Sequence, residues 1–216
     1  AIAAVVELVG DNSGKLVIEE FLTGSEVSVL AVTDGLTIRS LSPAQDHKRI
    51  GEGDTGKNTG GMGAYSPVPL VTQELSWRIE QEILQPTLEA LKQQGIDYRG
   101  VLYAGLMITP AGEPKVIEFN CRFGDPETQV VLPLLDTPLD EILLACVEQR
   151  LEQLPPLQWK SGSAVCVVAA SGGYPDAYQK NKAIAGIPEA EQQGAIVFQA
   201  GTKLEQAEIV TDGGRV

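Results

Sequence analysis

The sequence predicts an α+β protein whose strands form antiparallel sheets. Two kinds of pattern support this class: short β-branched runs separated by tight turns, and longer stretches in which apolar residues recur at helical spacing. The chain has 216 residues, of which 43% are hydrophobic and 21% are charged. This composition is ordinary for a globular protein, and the length suits one large domain or two small ones.

An antiparallel meander is predicted near the start of the chain. Apolar runs at 16–22, 27–33 and 36–41 are separated by turn residues, and the second turn, at 34–35, is the strong hairpin dipeptide Asp-Gly. Residues 42–69 are rich in glycine and polar side chains and have no periodicity, which predicts a long loop.

A helix is predicted over residues 73–94. Apolar side chains recur along one stripe, and Gly95 follows as a C-terminal cap. Pro86 lies inside the pattern and has no N–H to donate, so a kink or two consecutive helices are expected. Strands at 100–109 and 115–119, joined by a turn, complete this part of the chain.

The next predicted helix begins at Thr137, whose hydroxyl is expected to cap it, and extends to Leu151. Two prolines at 155–156 mark a candidate boundary. Beyond them we predict a buried strand at 163–170. A last strand pair is predicted near 195–200 and 207–211.

The two ends of the sequence suggest a fragment. The chain lacks an initiator Met and opens on apolar residues 1–9, which have a helical character. It closes on residues 212–216, which resemble a hairpin turn whose second strand is cut off.

Charge and cysteine content narrow the function classes. The net charge of −13 argues against nucleic acid or anionic membrane partners, which require basic surface. No apolar run is long enough for a membrane span, and no secretory signal is visible. The three cysteines are widely spaced, so a reducing, cytoplasmic location is expected. The single histidine excludes multi-histidine metal sites.

Two well-known nucleotide motifs overlap in the glycine-rich loop and are rejected. Residues 51–56 satisfy G-x-G-x-x-G, and 51–57 satisfy G-x-x-x-x-G-K, but Asn58 stands where a P-loop needs Ser or Thr. No apolar strand precedes the motif and no helix follows it, so neither phosphate-binding geometry is expected.

Three other clusters are candidates for chemistry. Two cations follow Asp46 and precede the glycine-rich run, which suits an oxyanion or phosphate; a solvated basic patch is the alternative. Glu118 and Asn120 share one face of a predicted strand, with Ile117 and Phe119 packing behind them. Two such oxygens suit Mg²⁺ when phosphates and water complete its shell, although an ordinary polar strand face is the alternative.

The third cluster is the acidic segment 19–26. Backbone groups of Glu20 and Leu22 suit an adenine edge, and Glu26 suits ribose hydroxyls. A strand end with solvated carboxylates is the alternative interpretation.

Several strings of residues, taken together, resemble one family closely. They lie at 45–49 (QDHKR), 58–67 (NTGGMGAYSP), 116–129 (VIEFNCRFGDPETQ), 172–175 (GGYP) and 200–202 (AGT). The chain resembles the phosphoribosylamine–glycine ligase (glycinamide ribonucleotide synthetase) family of ATP-grasp enzymes over nearly its whole length.

The resemblance implies the C-terminal half of an ATP-grasp fold, an antiparallel sheet with flanking helices, followed by part of a small C-terminal α/β domain. It implies the end of a lid subdomain at 1–15, an ATP-grasp core at 16–155 and an incomplete C-terminal domain at 156–216. The implied reaction joins glycine to 5-phosphoribosylamine through glycyl phosphate, in purine biosynthesis.

The resemblance also implies ATP and Mg²⁺ or Mn²⁺ as cofactors and assigns residues to roles. Arg122 and Lys48 are expected to be catalytic, with Lys48 also on a phosphate. The residues expected to bind the nucleotide are Glu19, Glu20, Leu22 and Glu26. The substrate loop, which is expected to close over the substrates, consists of Asp46, Gly60, Gly61, Met62 and Gly63. The expected metal ligands are Glu118 and Asn120.

The sequence departs from the family pattern in two respects. Residues 104–106 offer no acidic metal ligand ahead of Glu118, so the number of metal ions stays open. The N-terminal parts that contribute to the phosphoribosylamine site are absent, so the isolated chain is expected to be inactive. A monomer is expected. Another purine-pathway ATP-grasp ligase or carboxylase, or a non-catalytic nucleotide-binding fragment, remain alternatives.

Overall fold

The computed structural model describes residues 17–216, so the predicted segment 1–15 lies outside the described residues. The strands in chain order are β1 (Ser25–Thr33), β2 (Ile38–Ser40), β3 (Gln45–Asp46), β4 (Arg49–Gly51), β5 (Thr55–Asn58), β6 (Gly63–Ser66), β7 (Gly100–Ile108), β8 (Pro114–Asn120), β9 (Ala164–Val167), β10 (Thr202–Glu205) and β11 (Glu208–Thr211). The helices are α1 (Gln73–Ile79), a π-helical turn (Glu80–Leu84), α2 (Gln85–Gln93), α3 (Thr128–Val131), α4 (Leu139–Val147) and α5 (Ile187–Gln192), with 3-10 turns at Leu132–Leu134 and Leu151–Gln153.

The main sheet has four strands in the order β2-β1-β7-β8, and every pair is antiparallel. Strand β1 is buried on both faces: Val27 and Val29 pack against Leu84 and Leu88 of the helical layer, whereas Leu30 points into a second apolar cluster. Because successive side chains of a strand point to opposite faces, the side chains of β1 contribute to two apolar cores. The predicted α+β class with antiparallel sheets is confirmed.

The predicted long helix divides into two, as the proline suggested. Thr72 caps the first segment, its hydroxyl accepting a hydrogen bond from Leu75 N at 3.2 Å. The π-helical turn then lies directly before α2, whose second residue is Pro86. Because Pro86 has no N–H and its ring crowds the preceding turn, regular α-helical bonding cannot continue through it. Gly95 ends α2 with a positive φ of 73°.

The predicted meander is correct only in its second hairpin. Residues 27–33 and part of 36–41 form β1 and β2, but residues 17–22 form no strand. The physical reason lies in the partner: β1 begins to pair with β7 at Ser25 opposite Ile108, where β7 ends, so no strand is left to bond the preceding residues.

The prediction of a structureless loop at 42–69 is wrong. This segment contains β3 to β6, with β4 and β5 forming a short hairpin and β6 lying between β3 and β9. These strands have two to four residues each, and β6 finds one of its partners about 100 residues away, so no local alternation announces them.

Three details nearer the C-terminus also differ from expectation. Thr137 does not cap α4, because its hydroxyl accepts a hydrogen bond from Gln158 N at 2.8 Å instead. Strand β9 is not buried, since Val165 and Val167 are 75% and 84% exposed. The last strand pair is β10 and β11, and a two-residue turn joins them, so that Glu205 pairs with Glu208. The first strand of this pair therefore lies several residues closer to the C-terminus than the predicted strand near 195–200.

The three-stranded sheet β3-β6-β9 joins residues on both sides of the predicted boundary at 155–156. Within residues 17–216, no helix combines the length and the apolar character that a membrane span requires.

Candidate functional site

A cleft lies along the end of the main sheet where β1 starts. One part, the hinge cavity, has a volume of about 330 Å³, and its walls come from the segment before β1 and from β7 and β8. The lining residues are Glu19, Glu20, Phe21, Leu22, Glu26, Met107, Lys115, Val116 and Ile117. The structure therefore brings together all four residues of the predicted nucleotide-binding segment.

A second part of the cleft, the cation cavity, has a volume of about 550 Å³ and includes Asp46, Lys48 and Arg49. Leu22 and Glu26 line both cavities, so the two parts adjoin. The predicted hinge and the predicted phosphate-binding cations thus occupy neighbouring parts of one cleft.

Lys48 is held at this junction by an ion pair. Its Nζ lies 2.6 Å from Glu26 Oε2. Burial by itself would lower the pKa of Lys48, but the hydrogen bond and the charge of Glu26, with further negative charge from Asp46 and Glu118, raise it above its usual value. The lysine is therefore a stable cation in the cleft.

Glu118 lies on β8 close to this lysine, and Asn120 follows two residues later on the same strand, paired with Tyr103 of β7. A bulge leaves Ile117 unpaired between the pairs Gly105–Glu118 and Leu106–Val116, and beyond it Glu118 and Asn120 alternate onto one face. Glu118 lines a water-sized void together with Lys48 and Glu26.

The predicted apolar backing of these two residues is only partial. Ile117 and Phe119 remain 38% and 41% exposed, because β8 is an edge strand of the main sheet. Two hard oxygen donors on one face fit a magnesium ion whose remaining ligands are phosphate and water. Among residues 17–216, no group of three or more His, Cys, Asp or Glu side chains is arranged to hold a metal by itself.

Arg122 follows β8 and projects into solvent. Its Nη1 donates to the carbonyl of Phe123 at 2.9 Å, and no carboxylate in the described part of the chain lies within ion-pair distance of it. A guanidinium with its charge uncompensated is available to an anionic ligand.

The predicted substrate loop, here residues 59–63, folds back on the strand that carries the cations. Thr59 N and Met62 N donate to the carbonyls of Lys48 and His47 at 2.7 and 2.8 Å, and His47 N donates to Gly63 O at 2.8 Å. These bonds fix the loop beside Lys48.

Gly61 is the tightest point of this loop. Its φ is 110°, and a Cβ on it would lie 2.5 Å from Pro126 Cδ and 2.7 Å from Asp46 Oδ1. Only glycine fits there, because both the backbone conformation and the available space exclude a side chain. The loop, called the wall below, thus packs directly behind Asp46, which lines the cation cavity, although residues 59–63 themselves line neither cavity. Closing over a substrate would require breaking these contacts.

A buried polar network that the sequence did not predict lies beneath this wall. Glu127 is only 3% exposed, and its Oε1 accepts hydrogen bonds from Ser28 Oγ and Tyr103 Oη, both at 2.8 Å. Burial and the charge of Glu127 raise the pKa of Tyr103. The available signal was the presence of Ser28 and Tyr103 inside otherwise apolar strand runs.

Asp46 lies next to this network, and its Oδ1 is buried with no hydrogen-bond partner among the described residues. Burial, together with the nearby charge of Glu127, raises the pKa of Asp46 to about 7, although Lys48 and Arg215 act in the opposite direction. A carboxyl group that can change its charge near neutral pH therefore faces the cleft.

Two family models match the chain. The model for the ATP-grasp (A) domain of phosphoribosylglycinamide synthetase matches residues 1–128, and the model for the C domain of the same family matches residues 164–216.

Curated relatives agree with this match. A phosphoribosylamine–glycine ligase from Nostoc is 68% identical over 202 residues, covering 93% of this chain and 48% of the relative. A ligase of the same name from Synechocystis is 62% identical over 216 residues, covering 100% and 52%. A trifunctional purine biosynthetic protein from Gallus gallus is 52% identical over 96% of this chain and 20% of the relative. The chain thus spans about half the length of the first two relatives.

Solved structures support the same conclusion. The phosphoribosylamine–glycine ligase of Thermotoga maritima superposes with a TM-score of 0.85 at 39% identity, covering 98% of this chain and 51% of that one. The biotin carboxylase domain of a 2-oxoglutarate carboxylase, at 14% identity, has a TM-score of 0.55 over 78% of this chain and 35% of that one, which shows a shared fold alone. The predicted ATP-grasp fold is confirmed, and the chain belongs to the phosphoribosylglycinamide synthetase family.

Proposed function

We propose that the protein carrying this chain is a phosphoribosylamine–glycine ligase of purine biosynthesis. ATP would phosphorylate the carboxylate of glycine, and the amine of 5-phosphoribosylamine would displace phosphate from the resulting glycyl phosphate. The products are glycinamide ribonucleotide, ADP and phosphate. The single observation that carries the proposal is the continuity of the hinge cavity with the cation cavity through Glu26, in a chain that belongs to this family.

The hinge cavity suits the nucleoside. The side chains of Glu19 and Glu20 are exposed, so the contribution of this segment to adenine is through the backbone of Glu20 and Leu22. Glu26 is available to ribose hydroxyls at the boundary with the cation cavity. Glu26 also holds Lys48 in an ion pair in this structure, and the ammonium group would face the phosphates of a nucleotide bound in the cleft.

Glu118 and Asn120 would hold Mg²⁺ or Mn²⁺. The bound ion supplies positive charge against the phosphate oxygens of ATP, which lowers the repulsion between ATP and an anionic carboxylate. The donor set of one carboxylate and one amide, beside a permanently charged lysine, supports this assignment.

The reaction itself needs position and charge rather than a side-chain nucleophile. Lys48 and Arg122 would neutralise the transferring phosphoryl group and the acyl phosphate. The wall formed by Gly60, Gly61, Met62 and Gly63 would line the substrate site together with Asp46. The fixed hydrogen bonds of this wall support a role in positioning.

Two other functions remain as competing proposals: another purine-pathway ATP-grasp ligase or carboxylase, and a non-catalytic nucleotide-binding protein. The family match at residues 1–128 and 164–216 disfavours both. Each makes a distinct prediction, because a carboxylase needs bicarbonate and a non-catalytic protein releases no ADP.

The test is ADP release by the full-length gene product with Mg-ATP, with glycine and 5-phosphoribosylamine omitted in turn. Glu118→Gln removes a proposed metal ligand, and Glu113→Gln, at an exposed carboxylate in the turn just before β8, is the matched control. Turnover should require both substrates and should be lost in Glu118→Gln alone. Turnover that ignores glycine would contradict the proposed substrate, and equal activity in both variants would contradict the metal site. The isolated 216 residues should show little activity.

Several further properties belong to the same proposal. The ATP-grasp core would occupy 16–155 and the C-terminal domain 156–216; the two separate family models, at 1–128 and 164–216, support a division into two domains. A cytoplasmic monomer that works on small molecules and binds neither nucleic acid nor membrane is consistent with the net charge and with three free cysteines.

A further inference from the structure

The side chain of Arg215 makes hydrogen bonds both to the wall and to Asp125. Its Nη1 donates to the carbonyl of Gly60 at 2.6 Å and contacts those of Gly61 and Asp125 at 3.4 and 3.2 Å. Its Nη2 donates to Asp125 Oδ2 at 2.9 Å. The guanidinium of Arg215 thus joins the wall, residues 59–63, to the segment that follows β8.

The backbone of Arg215 is itself well anchored. Its carbonyl accepts a hydrogen bond from Gly201 N at 2.9 Å, and it forms a β-bridge with Ala170. Tyr174 assists from the same side, because its hydroxyl accepts a hydrogen bond from Gly60 N at 3.1 Å. The side chain of Arg215 is 21% exposed, so water competes weakly for these bonds.

We propose that Arg215 is a positioning residue for the acceptor side of the ligase site. By holding Gly60 and Gly61 against Asp125, it keeps Gly61 packed between Pro126 and Asp46 and so sets the shape of the wall next to the cation cavity. The kinetic part of this inference rests on the proposed function, whereas the structural coupling does not.

The expected kinetic signature is selective. Among the described residues, Arg215 has no hydrogen bond to any residue that lines the hinge cavity. Loss of Arg215 should therefore alter the binding of glycine and 5-phosphoribosylamine and leave that of ATP nearly unchanged. If Arg215 had only a structural role, its loss would lower the stability of the fold and would affect the binding of all three substrates equally.

The control comes from a second ion pair that joins the same two parts of the chain. Lys57 Nζ lies 2.6 Å from Asp176 Oδ1, but both side chains are about two-thirds exposed, and among the described residues neither side chain makes a hydrogen bond to Gly60 or Gly61. Lys57→Ala thus removes a cross-link of similar length without touching the wall.

The experiment compares Arg215→Ala, Arg215→Lys, Asp125→Asn and Lys57→Ala in the full-length gene product. Arg215→Ala should raise KM for glycine and 5-phosphoribosylamine about tenfold and that for ATP less than about twofold, because charged hydrogen bonds to the wall are lost. Arg215→Lys should recover part of this loss, Asp125→Asn should show the same selectivity more weakly, and Lys57→Ala should match the wild type.

Hydrogen exchange supplies a readout that does not depend on activity. Amides of residues 59–63 should exchange faster in Arg215→Ala, while those of α1 should not change. Unchanged exchange, unchanged kinetics, or an equal rise of all three KM values would overturn the inference. If Arg215→Ala does not fold, Asp125→Asn decides the same question. If the wild type shows no glycine-dependent turnover, the proposed function fails, and the exchange experiment still decides whether Arg215 holds the wall.

Discussion

The two sides of the cleft are built in opposite ways. The hinge side, residues 19–22, carries Phe21 with 90% of its surface exposed and forms no strand. The wall side, residues 59–63, is held by Lys48, Tyr174 and Arg215 through hydrogen bonds. From this difference we expect the proposed nucleotide contacts of the hinge side to be made by backbone groups, whereas the wall side depends on close packing and should tolerate little change.

The largest effect is expected for Gly61→Ala. The new methyl group would clash with Pro126 and Asp46, and a φ of 110° is unfavourable for alanine. Because the wall must shift, we expect a loss of about 100-fold in kcat/KM. The matched control is Gly172→Ala, at which a Cβ meets no atom within 4 Å. Equal activity of the two variants would contradict the description of the wall as a rigid side.

The next effect concerns stability and its pH dependence. The pKa of Asp46 is raised from 3.8 to about 7 in the folded protein, chiefly by burial. Its favourable contribution is therefore complete below the unfolded value of 3.8 and is lost as the pH rises through about 7. Asp46→Asn should consequently be more stable than the wild type at pH 8, by about 2 kcal/mol after allowance for partial exposure.

Urea unfolding between pH 4 and pH 8.5 measures this difference. The advantage of Asp46→Asn should shrink steadily towards the acid end, where Asp46 is neutral in the folded protein and its carboxyl group is becoming protonated in the unfolded chain as well. Asp54→Asn, at an exposed position in the loop between β4 and β5, serves as the control and should follow the wild type. A difference that is independent of pH would show that titration of Asp46 is not its cause.

Lys48→Met tests the junction of the two sides. Methionine keeps most of the side-chain stem and removes the ammonium group, so KM for ATP should rise about tenfold through the loss of a charged contact. Stability should change by only about 0–1 kcal/mol, since the Lys48–Glu26 pair is partly exposed. Lys92→Met on the exposed face of α2 is the control. An unchanged KM for ATP would remove Lys48 from the phosphate site.

The smallest effect is expected on the hinge side. Glu20→Ala removes an exposed carboxylate and keeps the backbone groups, so KM for ATP should change by less than about twofold. Leu22→Pro, which removes a backbone N–H, should raise it far more. A large effect of Glu20→Ala would show that the hinge works through side chains and would weaken the contrast between the two sides.

The sequence predicted the elements whose signals are local. Strands β1, β7 and β8 alternate or run apolar over seven to nine residues, and α1 and α2 bury a regular stripe. Glu118 and Asn120 could be paired because residues two apart on a strand share a face. Helical spacing and strand spacing are properties of neighbouring residues, so they can be read without tertiary information.

The wall of the cleft could not be predicted in this way. Gly61 is confined by Pro126 and Asp46, and Arg215 reaches Gly60 across 155 positions in the sequence. Glu127 binds Ser28 and Tyr103, which lie on strands distant from it in the chain. Contacts of this kind follow from how the sheets pack, and no short pattern encodes them.

The separation of Gly60 and Arg215 along the chain also determines how long after Gly60 the ribosome adds Arg215. Ribosomes add about 5–20 residues per second, so the 155 positions between the two correspond to roughly 8–30 seconds of synthesis. During that interval the nascent chain contains the hinge, Lys48 and the glycine loop, but it lacks the arginine that joins the loop to Asp125. The residues proposed to contact the nucleotide are therefore synthesised well before the arginine that holds the loop in place.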